Sequence, residues 1–60
     1  MSEAEDIKKK FLTQAKTFRA LAKMLSKDPR KKAKVKFCEG MADVCEGLAD
    51  IVNQEMKKHD

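Results

Sequence analysis

The sequence predicts an all-α protein: an antiparallel helical hairpin that self-associates into a homodimeric four-helix bundle. Three observations carry that expectation. Apolar residues recur at spacings of three and four along two long segments. A single Asp28-Pro29 step separates those segments. The 60 residues contain only two Gly, one Pro and no Tyr or Trp, which leaves too little turn punctuation and aromatic content for a sheet.

The first helix is expected over residues 3–26. Ser2-Glu3-Ala4-Glu5 is a capping box, in which the Ser2 hydroxyl accepts from the third helical amide. Ile7, Phe11, Ala15, Phe18, Ala22 and Leu25 then follow one stripe, widened by Leu12 and Leu21, with no Gly or Pro up to Lys27. The turn is expected at residues 27–28. Asp28 suits an N-cap, and Pro29 suits the first helical position, where its missing N–H costs nothing. A connection this short folds the second helix, residues 29–57, back against the first.

The second helix contains an internal repeat: Cys38-Glu-Gly-Met-Ala-Asp-Val44 is followed at once by Cys45-Glu-Gly-Leu-Ala-Asp-Ile51. Phe37, Met41, Val44, Leu48 and Ile51 form its central seam. Cys38 and Cys45 flank that seam on one side, Gly40 and Gly47 on the other. The apolar or small-residue arc covers roughly 220°, far more than the ~100° that one neighbouring helix requires. A second copy is therefore the expected source of the remaining core, since a chain of this length buries only about 60% of its unfolded surface. Folding about Asp28-Pro29 brings Phe18 level with Gly40 and Phe11 level with Gly47. Each mid-helix glycine costs about 1 kcal/mol relative to alanine, so the reading is that each phenyl ring occupies the hole left by a missing side chain.

The chemistry of catalysis is absent from the pattern. His59, beside Lys58, lacks an ordered partner for base work. Cys38 and Cys45 stand seven residues apart, which on a helix is about 10.5 Å, beyond the ~7 Å reach of a disulfide. Their spacing also fits zinc poorly, so both read as small buried hydrophobes. Glu39/Asp43 and Glu46/Asp50 pair at i, i+4, without the Glu-x-x-His motif of di-iron bundles. No catalytic residue, metal site or cofactor is expected, and the chain is not expected to be an enzyme.

Charged residues make up 40% of the chain against the usual quarter. They are segregated: residues 1–36 carry twelve Lys/Arg and four Asp/Glu, or +8, whereas residues 37–56 carry five acids and no base, or −5. An antiparallel hairpin or dimer can use these two stretches against each other. The alternative is an external anion. Lys16, Lys23, Lys27, Arg30, Lys31, Lys32 and Lys34 are the candidate phosphate contacts, without an aromatic for base stacking, so that nucleic-acid binding would be non-specific or shape-based. A membrane surface is not the expected partner. The start MSEAEDIKKK has no apolar core of a signal peptide, and the cytoplasm is the expected compartment.

With Cys38-Glu39 and Leu48 suitably placed in its second helix, the hairpin resembles, in architecture, the Rop type of small plasmid-encoded helical hairpins. That resemblance implies a dimeric four-helix bundle that binds paired RNA loops through its first helices. The outward Phe of the Rop RNA face has no counterpart, because Phe11 and Phe18 lie on the apolar stripe. The function expected from the residues is a small interaction module that acts through oligomerisation and protein binding, with nucleic-acid binding as the alternative.

Overall fold

The computed structural model describes residues 2–58. Helix α1 spans Glu3–Leu25, a 3₁₀ turn spans Pro29–Lys31, and helix α2 spans Lys32–Lys58. Ser2 is extended and its Oγ accepts from the Glu5 amide at 3.2 Å, closing the expected cap. Leu25 is the last residue of α1, one short of expectation. Ser26 caps its end, and the Ser26 Oγ donates to the Lys23 carbonyl at 2.7 Å. Asp28 is extended and accepts from the Arg30 amide at 3.0 Å. Pro29 then begins the return as one 3₁₀ turn before α2 proper starts at Lys32. The helices pack side by side as a hairpin whose Cα trace measures 48 × 16 × 9 Å.

The contact between the helices is made by the smallest side chains. Ala15 and Ala22 of α1 meet Cys38, Ala42, Cys45 and Ala49 of α2, and these six are the buried hydrophobic residues among the described ones. They recur at spacings of seven, or of three and four, so each helix presents a straight row of small groups. Ala42 is fully enclosed at 0% exposure, packed with Ala15 and Cys45, and Phe18 leans on that cluster from one side.

This seam overturns the expected pairing of Phe11 and Phe18 with Gly47 and Gly40. A Cβ added at either glycine would meet nothing within 4 Å. The Gln14–Cys45 contact lies near the level at which the chain was expected to fold, but α2 is rotated differently. At about 100° per residue, the glycines project nearly opposite Cys38, Ala42, Cys45 and Ala49, on the outer edge of the hairpin. The heptad of alanine and cysteine lets the two helices meet without any hole for a ring.

It follows that the glycines weaken α2 without a packing return. Gly40→Ala and Gly47→Ala should each stabilise the protein by up to about 1 kcal/mol, read as a higher urea midpoint at unchanged slope. A loss of stability would mean that something packs on the outer edge of α2. In the seam the sign reverses: Ala42→Leu should cost about 1–3 kcal/mol by overpacking, visible in the same titration.

Candidate functional site: an apolar face opposite a charged face

Because the helices meet through alanine and cysteine, most of the large apolar side chains are left on one broad face. Leu12, expected to widen that stripe, instead borders a groove with Lys8, Glu46, Asp50 and Asn53 on the reverse side. Ile7, Phe11, Phe18, Leu21 and Leu25 project there from α1, and Phe37, Met41, Val44, Leu48 and Ile51 from α2. Phe11, Phe18, Leu25 and Met41 are half-buried at the border of the seam. Phe37 is 64% exposed, Ile51 57% and Val44 53%. Nearest the bend the face deepens into a groove of about 380 Å³, lined by Phe18, Leu21, Leu25, Ala33, Lys34, Phe37 and Cys38.

The excess of exposed surface can be put on a scale. The chain exposes 4879 Å², whereas a compact monomer of 6.8 kDa would expose roughly 3,950 Å². The surplus is roughly 900 Å², as befits a thin two-helix slab that encloses little core. Large apolar side chains left exposed together on one face, as Phe37, Val44, Leu48 and Ile51 are here, mark an interaction surface.

The reverse face carries matched charges, with Leu12 and Val35 set among them. The Arg19 guanidinium reaches across from α1 to α2, 2.8 Å from the Asp43 Oδ1 and also bonded to Glu46. Those two hydrogen bonds, Glu46 first, raise the arginine pKa further above its already high value. Further along, Lys8 Nζ donates to Asn53 Oδ1 at 3.0 Å. Shallow grooves on this face bring Lys23 beside Glu39, and Lys32 and Lys36 beside Asp28 and Glu39. The expectation that the basic and acidic stretches answer each other is met at Arg19.

The residues singled out from the sequence are thus divided. Cys38 and Cys45 are buried free thiols in the seam. Phe37, Val44, Leu48 and Ile51 lie open on the apolar face, while Gly40 and Gly47 lie open at its outer edge. Of the candidate phosphate contacts, Arg30 is folded back on Asp28, with Nε and Nη2 at 3.1 and 3.2 Å from its two carboxylate oxygens. Lys34 borders the apolar groove, whereas Lys32 and Lys23 border grooves on the reverse face. All seven are exposed, but they do not share one surface. His59 lies outside the described residues. Among the described residues there is no group of three or more potential metal ligands, and no helix is long and apolar enough to cross a membrane.

One residue of the face was not singled out by the sequence reading. Gln14 lies among Ile7, Phe11, Phe18 and Leu21, and its Oε1 accepts from the Cys45 thiol at 3.7 Å. The signal for it was present: Ile7, Gln14 and Leu21 are one heptad row with a polar residue at its middle.

Fold and surface together define a class: a two-helix hairpin with one uncovered apolar face. Compared with protein-family models, with curated proteins and with solved structures, the chain matches none. Its surface chemistry alone carries the functional reading.

The bend supplies a pH-dependent element. Asp28 is held below its ordinary value of 3.8, first by the Arg30 side chain and then by the Arg30 amide. A carboxylate with a depressed folded pKa contributes stability that is present above its unfolded pKa and lost as pH falls through the folded one. Asp28→Ala should therefore lower the melting temperature at pH 7, and that difference should shrink as the pH falls below the ordinary 3.8 and the native carboxylate protonates. Thermal melts of both proteins from pH 7 to pH 2 check this.

Proposed function

We propose that the protein is a non-enzymatic interaction module whose apolar face is covered by a second copy, forming a homodimeric four-helix bundle. The observation that carries this is the inversion of the core: alanine and cysteine fill the seam, while Phe37, Val44, Leu48 and Ile51 stay 38–64% exposed. Large side chains at helical spacing on one face are the pattern of a second helix-packing interface. The dimensions agree. A slab of 48 × 16 Å has a plan area of roughly 770 Å², close to the ~800 Å² per partner of a standard stable interface.

Nucleic-acid binding is the second reading. It draws on the exposed Lys16, Lys23, Lys27, Arg30, Lys31, Lys32 and Lys34. Against it stand the division of these cations between two faces and the proximity of Glu39, Asp43 and Glu46 on the charged face.

Sedimentation equilibrium at micromolar concentration should give twice the chain mass of 6.8 kDa. Val44→Glu with Ile51→Glu should return a monomer and lower the melting temperature, since each would place a charge within the interface. A wild-type monomer would overturn the dimer. A salt-sensitive RNA gel shift, lost when Arg30, Lys31 and Lys32 are all replaced by Gln, would favour the second reading.

A further inference from the structure

We propose that the second copy docks antiparallel, with the two bends at opposite ends, on a twofold axis that passes through the waist of the hairpin at Gln14 and Cys45. The proposal rests on the dimer reading above and adds its geometry. Three features of the chain point to it.

The first is the position of the only amide on the apolar face of α1. Gln14 is the central residue of Glu3–Leu25, with eleven residues on either side, and Cys45 is the central residue of Lys32–Lys58, with thirteen on either side. The Cys45 thiol donates to Gln14 Oε1, so the two midpoints are at one level of the hairpin. An antiparallel twofold lays α1 on α1 and α2 on α2 about these midpoints, and sets Gln14 against Gln14 of the second copy. Two primary amides can satisfy each other's donors and acceptors there. A single polar residue in an otherwise apolar row is a known means of fixing register. In the alternative, with both bends at the same end, α1 lies on α2 of the second copy and Gln14 faces an apolar row.

The second feature is the charge along the long axis. Residues 15–44, the half nearest the bend, carry nine Lys/Arg and three Asp/Glu, or +6; the remaining residues carry five and seven, or −2. Docking with bends together superposes two strongly cationic halves. Antiparallel docking sets each against the mildly anionic half of its partner.

The third feature is a specific pair. At about 100° per residue, Glu55 is the acidic residue of α2 on the side of Phe37, Val44 and Leu48. Lys58 Nζ meets its Oε1 at 3.4 Å at the helix end, and Lys34 borders the apolar groove. Lys34 stands eleven residues before Cys45 and Glu55 ten residues after it. Antiparallel docking about Cys45 brings Lys34 level with Glu55 of the second copy, twice per dimer. With the bends together, Glu55 would instead come level with Glu3 and Glu5, the level fixed by the Lys8–Asn53 hydrogen bond.

Two measurements test the docking separately from dimerisation. Lys27→Cys carries a donor or an acceptor dye at the bend, with Cys38 and Cys45 protected by burial, and mixed labelled protein reads the bend-to-bend distance. A separation on the order of the 48 Å hairpin length is expected, and so is weak energy transfer. Strong transfer in a sedimenting dimer overturns antiparallel docking and leaves the dimer reading standing; a monomer overturns both. In the second arm, Lys34→Glu should weaken dimerisation about three- to tenfold, and the double change Lys34→Glu with Glu55→Lys should restore most of that loss. The two positions lie about 31 Å apart along one helix, so rescue requires a second chain. Its absence overturns the pairing of Lys34 with Glu55.

Discussion

Close packing of small side chains between the two helices is the constraint on which the rest of this molecule depends. Helices approach through whichever residues share a face, and here those are Ala15 and Ala22 against Cys38, Ala42, Cys45 and Ala49. Each burial of this kind removes little apolar area, so the seam supplies far less hydrophobic stabilisation than rows of leucine would. Among the described residues no large side chain is fully buried. The same small groups leave the large apolar side chains at the border of the contact or outside it. One local choice of residue size therefore accounts for a thin hairpin, a weak internal core and a broad apolar face.

The charged face follows from the same rotation. Once Cys38, Ala42, Cys45 and Ala49 point at α1, the acids Asp43 and Glu46 must lie to one side of the seam, where Arg19 of α1 meets them. Exposed ion pairs of this sort stabilise little on their own. Their effect is on specificity: they reward the one rotation of α2 that places acids beside the basic stripe, and they leave the opposite face apolar.

Much of the fold was legible because it is written in short-range chemistry. Ser2 with Glu5 and Asp28 with Arg30 mark the two helix starts through hydrogen bonds made within three residues. The tandem heptad fixed the helical period of α2. The rotation of α2 was not legible. An arc of roughly 220° contains both an alanine-cysteine row and a phenylalanine-valine-leucine row, and hydrophobic pattern ranks the second as core. Packing reversed that order, because two helices joined by a three-residue turn are held close and small residues fit the space between them. Gly40 and Gly47 were read as holes for rings because their cost demanded a return, and the structure provides none within the hairpin. Gln14 was passed over because a lone amide in an apolar row resembles a boundary residue until its neighbours are placed in space.

The segregation of charge takes on a different meaning at the level of the assembly. Counted along the sequence, it is a basic stretch followed by an acidic one. Counted along the folded axis, it is a cationic bend end and a mildly anionic open end, because the hairpin superposes residues 15–44 at one end. The two counts are not equivalent. The first is neutralised sideways, within one chain, at Arg19. The second cannot be, since both strands near the bend carry the same sign. An elongated body with unlike ends and one sticky face has its lowest electrostatic energy when a copy of itself lies head to tail on that face. The turn therefore does more than reverse the chain: by gathering cations from both helices at one end, it makes the two ways of stacking the hairpin unequal.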